Sequence, residues 1–324
     1  MAEVAIVGSG VVGTASGQGL ACRGHHVSFV DINQERLAAL RAQGYAASET
    51  LELSDEHTFI FLTLPTPHKG MAYDFGPLIA GTRAVGAALA RSSGYHTVVL
   101  RSTTAPGTCD NLVRPALEEA SGKSEGEGFA LASNPEFLRA ATALDDFLAP
   151  SMTVIASRST LTVQRLVELF RPFGGLVKTF DDPRQAELVK CAHNIFNATK
   201  ISFWNEFWLV AQHLGLNGDE VAATVALSAE ASTNPQYGIR GGAPYGGACL
   251  PKDTAGFLGF ATELGVPMPL LSAVIEVNQT MAERVREELT EVTDHVEDLL
   301  DLSDHAAGEA VDHPPWVAAE RRSG

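Results

Sequence analysis

Cys249 is the residue around which the possible chemistry gathers. It stands in the run Tyr245-Gly246-Gly247-Ala248-Cys249-Leu250-Pro251-Lys252-Asp253-Thr254. Glycines let a backbone take positive φ or lie close against a ligand. A thiol on such a bend, with a cation and a carboxylate a few residues on, suits a nucleophile. The same residues also suit a plain turn holding a small apolar side chain. A second set shares one face of a helix read over about 184–214: Glu187, Lys190, Asn194, Asn197 and Ile201 recur at helical spacing. Lysine and asparagine on a buried helix cost free energy unless paired, so this stripe is either a capping network or a catalytic face. His193 falls off it and reads as packing or surface. A third set follows strands: Leu64-Pro65-Thr66-Pro67, Arg101-Ser102-Thr103-Thr104 and Ser133-Asn134-Pro135-Glu136-Phe137-Leu138. Their polar side chains suit a ligand-binding rim, and equally turns and helix caps.

These residues need a scaffold, and the first half of the chain supplies its pattern. Val4-Ala5-Ile6-Val7 reads as a strand, Gly8-Ser9-Gly10-Val11-Val12-Gly13 as a turn into a helix, and Val27-Ser28-Phe29-Val30 as a second strand closed by Asp31. In such a unit the first glycine makes the tight turn, the second admits a pyrophosphate and the third lets helix and strand pack closely. The free N–H groups of the helix start face the phosphates. Asp31, 18 residues beyond Gly13, suits the adenosine ribose hydroxyls and repels a 2′-phosphate, which favours NAD over NADP. It also suits a cap for the next helix. Further strands over 58–62, 97–100, 128–132 and 153–156 alternate with helices near 34–43, 74–91, 109–120 and 160–172, which predicts a doubly wound parallel sheet. The fold class is therefore α/β: a Rossmann-like sheet first, then an all-α region.

The helix over 184–214 carries Phe196, Phe203, Trp204, Phe207 and Trp208, and a helix this aromatic is expected to be largely buried. It also has more aromatic residues than one core face needs, which predicts a partner chain on it. Helices are expected over 216–227, 254–264 and 270–289, with a loop over 228–242. The stretch 287–302 reads as an acidic amphipathic helix, and the last twenty or so residues read as disordered.

Composition narrows the class. The chain has 324 residues and a formal net charge of -16, with 45% hydrophobic and 19% charged residues. That charge argues against nucleic acid and anionic membrane surfaces as partners. The cysteines, Cys22, Cys109, Cys191 and Cys249, form no C-x-x-C pair, so no metal site or disulfide framework is expected and the thiols suit the cytoplasm. No secretion leader and no 18-residue apolar run is read.

Taken together, the motifs resemble the UDP-glucose/GDP-mannose dehydrogenase family from about residue 3 to about 283. The resemblance rests on Gly8 to Gly13; Leu64 to Pro67; Ser102-Thr103 with Pro106-Gly107-Thr108; Asn134 to Leu138; Lys190 with Asn194; Lys200 to Phe203 with Asn205-Glu206; Gly246 to Asp253; and Val277-Asn278. It implies oxidation of a primary alcohol on a sugar, nucleoside or sugar nucleotide to a carboxylate with two NAD+. It also implies Cys249 as the nucleophile that carries a thiohemiacetal and then a thioester. Lys190 and Asn194 are implied to stabilise the oxyanion, Asp253 with Lys190 to take the alcohol proton, and Glu136 with Thr103 to act on the hydrolytic water. The cofactor set so implied is Gly8, Gly10, Val11, Val12, Gly13, Asp31, Thr66, Pro67, Ser102, Thr103 and Lys252. Phe137, Leu138, Lys190, Asn194, Asn197, Tyr245 and Gly246 are implied around the substrate, Asn197 suiting a helix–helix hydrogen bond equally well. A homodimer is implied too.

The division expected is an NAD-binding domain over 1–183, a helical catalytic and dimerisation domain over 184–286, and an acidic tail over 287–324 in place of the family's C-terminal nucleotide-binding domain. Ala140-Ala141 replace a Glu-Gly, Met152 replaces an arginine, and an Arg-Ile-Gly is missing near Thr233-Asn234-Pro235. Two other readings stay open: a two-electron dehydrogenase working through Lys190 and Asn194, and a non-catalytic NAD-binding partner subunit.

Overall fold

The computed structural model describes residues 1–69, 72–228, 243–246 and 250–304, excepting the side chains of 68, 228, 252, 253 and 291–304. The chain divides into two compact units, Met1–Asn197 and Ala198–Gly324.

The first unit is built on an eight-stranded sheet. Strands β1 (Glu3–Val7), β2 (His26–Val30), β3 (Ala46–Ser48), β4 (Thr58–Leu62), β7 (His96–Leu100), β8 (Phe129–Ser133), β9 (Met152–Ala156) and β10 (Leu176–Phe180) lie in the order β10-β9-β8-β7-β4-β1-β2-β3. All ladders are parallel except the single bridge between Ser133 and Ala156, where β9 meets β8 antiparallel. Two short strands, β5 (His68–Lys69) and β6 (Ala72–Tyr73), form a separate antiparallel pair. Helices α1 (Val11–Cys22), α2 (Gln34–Ala42), α3 (Gly76–Arg91), α4 (Arg114–Ser121), α5 (Ala143–Leu148) and α6 (Thr160–Phe170) connect the strands, with a π-turn at Cys109–Val113 leading into α4. Strand order reverses direction between β1 and β4, the switch point at which parallel sheets open a ligand crevice.

The sheet is buried on both faces, so its strands are apolar along their length. Side chains still alternate. Ala5, Val7, Ile60, Leu62, Val98 and Leu100 meet Leu78, Val85, Leu89 and Leu117 on one face. Val4, Ile6, Phe29, Phe59, Phe61 and Val99 meet Leu20, Phe147, Leu166 and Phe170 on the other. Each large side chain so buried contributes about 1.5–3 kcal/mol.

The expected strands and helices of this unit are present within a residue or two, apart from the π-turn that replaces the first turn of the helix expected from 109. The sequence reading missed β3, β10, the β5–β6 pair and α5. These are short or lie at a sheet edge; β10, only half-covered, reads Leu-Val-Lys-Thr-Phe and carries little apolar pattern.

Helix α7 (Pro183–His213) belongs to the first unit up to Asn197 and to the second from Ala198. The second unit continues with α8 (Gly218–Ser228) and with helices over Leu250–Glu263 and Pro269–Asp304. The last joins the helices expected over 270–289 and 287–302 into one. The loop expected over 228–242 and the disorder expected at the end fall largely outside the described residues. Val210, Ala261, Val266 and Met268 form the small core of this unit, with Phe207 stacked on Phe257. One expectation is corrected: α7 is not largely buried. Ile195, Phe196 and Ile201 are about two-thirds exposed, and Phe203 and Trp208 are also exposed. The core of the second unit takes only one side of the helix, through Phe207 and Val210.

Two histidines sit at the opening edge of the sheet, at the start of β4 and β7. His96 is buried; its Nδ1 accepts the Thr58 N–H at 3.3 Å, so Nε2 carries the proton that faces Ser92 Oγ at 2.8 Å. His57 packs edge-on against Phe59 and bonds Thr97 Oγ1 at 2.9 Å. Burial holds the pKa of His96 below its ordinary 6.5 and that of His57 down to about 4, helped by the charge of Arg165. The unfolded chain therefore takes up protons first, and stability falls as pH drops from about 6.5 towards 4. Thermal unfolding at pH 7.5 and pH 5 is expected to show a lower midpoint at pH 5, with a smaller drop in His57→Gln. Parallel curves for the two proteins would contradict this.

Candidate functional site

The glycine turn after β1 divides its glycines between packing and space. Gly8 has φ +100 and donates its N–H to Val30 O at 2.8 Å. A Cβ there would stand 2.6 Å from Thr63 O. A Cβ on Gly13 would stand 1.9 Å from Gly8 O, so this glycine is demanded by the contact of α1 with the turn. Gly10 is different: among the described residues nothing lies within 4 Å of where its Cβ would be. It caps α1 without a side-chain hydrogen bond, leaving the first-turn N–H groups facing outward. Val11, the first residue of α1, is 57% exposed; Val12 is half-buried. An open cradle over free helix N–H groups fits a pyrophosphate.

Asp31 closes the crevice at the end of β2. Its Oδ2 accepts the Ser9 N–H at 2.6 Å and its Oδ1 the Asn33 N–H at 2.9 Å, while Arg36 Nη1 stands 3.5 Å from Oδ2. The cap of α2 is Asn33, whose side chain accepts the Arg36 N–H. The alternative role for Asp31 as helix cap is therefore filled by its neighbour. Ile32 beside it is 92% exposed, an apolar residue that the sequence reading passed over.

The loops after β4 and β7 are tied together. Thr66 Oγ1 donates to Thr103 O at 2.7 Å, and Ser102 Oγ to Leu64 O at 2.7 Å. Pro67 is exposed. Thr63 Oγ1 donates to Gly8 O at 2.6 Å, so the glycine turn is held to the same rim.

Helix α7 meets this rim through the first two members of its polar stripe. The buried Glu187 accepts the Gly107 N–H at 2.5 Å, the Cys109 N–H at 2.8 Å and Thr104 Oγ1 at 3.3 Å. Burial pushes its carboxyl pKa up against the pull of these donors. One turn on, Lys190 Nζ lies 3.0 Å from Glu136 Oε1, with side chains only 5% and 11% exposed. The other Glu136 oxygen accepts the Leu138 N–H at 2.6 Å, and the ammonium stands 5.4 Å over the Phe137 ring. The stripe divides at its first two members: Glu187 is a cap, and Lys190 is paired with a carboxylate that lines a cavity.

That cavity has a volume of about 420 Å³, and Arg101, Asn134, Glu136, Phe137, His193 and Asn197 are among its lining residues. His193, which the sequence reading set aside, packs edge-on against Phe137 at 4.9 Å and links Asn194 at 3.3 Å with Asn197 at 3.5 Å. Asn194 and Asn197 are exposed. Position 193 carried no signal because only the packing of α7 on the Phe137 loop turns it inward. Leu138 also lines the cavity.

In the second unit Tyr245 is clamped by Asn278: Tyr245 N–H donates to Asn278 Oδ1 at 2.7 Å, and Asn278 Nδ2 donates to Tyr245 O at 3.2 Å. Gly246 is exposed, and among the described residues nothing lies within 4 Å of where its Cβ would be. Glu206 caps the Pro269–Asp304 helix through the N–H groups of Leu270 and Leu271. Cys249 lies outside the described residues, as do the side chains of Lys252 and Asp253, whose backbone is helical. The structure thus brings Glu136 to Lys190 and Thr66 to Thr103. Among the described residues there is no group of three or more acidic, histidine or cysteine side chains able to hold a metal, and no helix is long and apolar enough to cross a membrane.

Comparison with known proteins bears on both units. Residues 46–174 match the NAD binding domain of the UDP-glucose/GDP-mannose dehydrogenase family, and residues 184–280 match its central domain. Residues 3–72 match the NADP oxidoreductase, coenzyme F420-dependent family. The UDP-glucose 6-dehydrogenase of Haloferax volcanii is 33% identical over 316 residues, covering 89% of this chain and 72% of that protein. The GDP-mannose 6-dehydrogenase of Pseudomonas aeruginosa is 31% identical over 339 residues, covering 97% and 77%. A crystal structure of a ternary complex of GDP-mannose dehydrogenase from Pseudomonas aeruginosa superposes with a TM-score of 0.79 at 30% identity, covering 89% of this chain and 71% of that one.

The docking of α7 generates a test. Glu187→Gln keeps the volume but leaves one oxygen to serve donors that now meet two. Urea unfolding is expected to show a loss of about 1–3 kcal/mol. An unchanged midpoint would contradict the anchoring role.

Proposed function

The chain belongs to the UDP-glucose/GDP-mannose dehydrogenase family, a family of NAD-dependent enzymes that oxidise sugar nucleotides by four electrons, and from that premise we propose that it oxidises the primary alcohol of a sugar nucleotide to the carboxylate through a covalent intermediate on Cys249. The observation that carries this is the buried Lys190–Glu136 pair at the wall of a cavity. It sets a carboxylate on the wall of an open space with an ammonium held against it.

The cofactor would be held by the turn from Gly8 to Gly13, with its pyrophosphate over Gly10 and the start of α1. The open space at Gly10, the exposed Val11 and the placement of Asp31 support this reading. Asp31 would take the ribose hydroxyls and Ile32 would stand beside the adenine; Thr66, Pro67, Ser102 and Thr103 would line the nicotinamide half, and Lys252 would reach the phosphates. When bound, NAD+ supplies acceptance of one hydride per oxidation. The residues that work on the substrate divide the protons. Asp253, with Lys190, takes the alcohol proton in the first oxidation. The Cys249 sulfur adds to the aldehyde carbon, and Lys190 and Asn194 hold the oxygen of the thiohemiacetal. Loss of a second hydride from that carbon leaves a thioester. Glu136, assisted by Thr103, takes a proton from water, which attacks the thioester carbon and releases carboxylate and thiol. Phe137, Leu138, Asn197, Tyr245 and Gly246 shape the substrate's place.

The division of labour follows: residues 1–183 bind NAD, residues 184–286 carry the central helices and the cysteine, and residues 287–324 are an acidic tail whose helix is described as far as Asp304. A homodimer would bury the aromatic face of α7, where Ile195, Phe196, Ile201 and Trp208 are exposed in the single chain. The absence of a cysteine pair suited to a disulfide framework supports a cytoplasmic location.

Purified protein with NAD+ and a panel of UDP- and GDP-sugars is expected to release two NADH per carboxylate formed. Cys249→Ser is expected to lose the second oxidation. A wild-type product that stops at the aldehyde, with one NADH, would contradict the thioester route.

A further inference from the structure

Arg101 directly follows β7 and is buried to 4% exposure. No carboxylate lies within ion-pair distance among the described residues; Glu136 is the carboxylate whose charge acts on it. Its guanidinium is spent on two neutral partners from different elements. Nε donates to Ser16 Oγ on α1 at 2.9 Å. Nη1 donates to Asn134 Oδ1 at 2.5 Å and, more weakly, to Asn134 O at 3.4 Å. Phe147 and Phe170 face the cation at 5.3 and 5.8 Å and replace part of its hydration. α1 comes close enough for this only because Gly19 lets Phe147 sit where a Cβ would be. Burial lowers the pKa of Arg101 to about 10, so it remains a cation at neutral pH.

The partner that matters is Asn134. Its backbone N–H bonds Leu100 O and its side-chain Nδ2 donates to Val154 O at 2.6 Å. With Oδ1 taken by Arg101, the asparagine is fixed on every side. Pro135 and then Glu136 follow directly. Where Asn134 stands therefore sets where Glu136 meets Lys190. A lysine at 101 would keep the charge, but it lacks the planar fork that reaches Ser16 and Asn134 together.

We propose that Arg101 is a positioning residue for Glu136, holding the start of the Asn134–Leu138 loop against the glycine-turn helix so that the Glu136 carboxylate stays on Lys190. This rests on Glu136 being a working carboxylate, and the two ideas separate experimentally. The charged groups around Glu136 in the first unit are Lys190, Arg101, His193 and, on the cavity wall, the Arg139–Asp146 pair; none of these but Arg101 touches Asn134.

The experiment measures kcat and KM of the full-length protein with NAD+ and whichever of UDP-glucose and GDP-mannose it oxidises faster. Wild type, Arg101→Lys, Ser16→Ala, Glu136→Gln and the pairings of each with Glu136→Gln are compared. Arg101→Lys is expected to lower kcat about ten-fold or more and Ser16→Ala by less, with KM for NAD+ within about two-fold of wild type. In the Glu136→Gln background both effects are expected to shrink below about two-fold, because the group they position is gone. Full multiplicative losses in that background would overturn the proposal. So would a loss that appears in KM for NAD+ rather than kcat. Ser16→Ala, a minor change, carries the same test should Arg101→Lys fold poorly. Mass spectrometry of Glu136→Gln during turnover tests the other idea: no accumulated acyl group on Cys249 would remove Glu136 from thioester hydrolysis, while the coupling with Arg101 would still stand.

Discussion

Burying an ammonium and a carboxylate together costs several kcal/mol of solvation for each ion, which their attraction offsets only when the geometry is held. The Lys190–Glu136 pair meets that condition through anchors on both partners. On the helix side Glu187 binds two backbone N–H groups and a hydroxyl of the rim, which fixes the rotation of α7 one turn before Lys190. On the loop side Arg101 and Val154 O fix Asn134, two residues before Glu136. The Leu138 N–H then orients the carboxylate itself. Neither anchor touches the cavity with a group that the reaction needs free, so the site is built by residues that are already spent.

The same economy governs the glycine turn. Gly8 and Gly13 are glycines because Thr63, just after β4, and the turn itself stand where a side chain would be, and Gly10 is a glycine although none of the described residues comes within 4 Å of where its Cβ would be. Two are answers to packing; the third is not. Thr63 holds the turn to the end of β4, and Thr66 and Ser102 stitch the next two loops together. The cofactor crevice and the Lys190–Glu136 wall therefore share one rigid rim in the first unit.

Much of this was legible in the residues. The short, continuously apolar strand runs, the glycine spacing and the acid after β2 carry the sheet and the dinucleotide crevice, because each is a local consequence of backbone geometry. The polar stripe on α7 was legible as a face, but its division into cap and pair was not: helical spacing says which residues share a side and nothing about what they meet. His193 was read as packing or surface, and it packs; that its partner is Phe137 could not be read, for the same reason. The exposure of Phe196 was misread because aromatic content alone does not tell which side of a helix the chain's own core takes. Arg101 was quoted only as the end of a strand; its role depends on Ser16 and Asn134, which are 85 and 33 residues away.

The most direct test of a working Lys190 is the rate of the first hydride transfer in a single turnover. NADH formation would be followed by stopped-flow with enzyme in excess over sugar nucleotide, comparing wild type with Lys190→Met. Loss of the positioned cation is expected to slow the first NADH by about 100-fold or more, with the dissociation constant for NAD+ unchanged. A first hydride transfer at the wild-type rate would show that the buried pair is architecture and that the chemistry lies elsewhere.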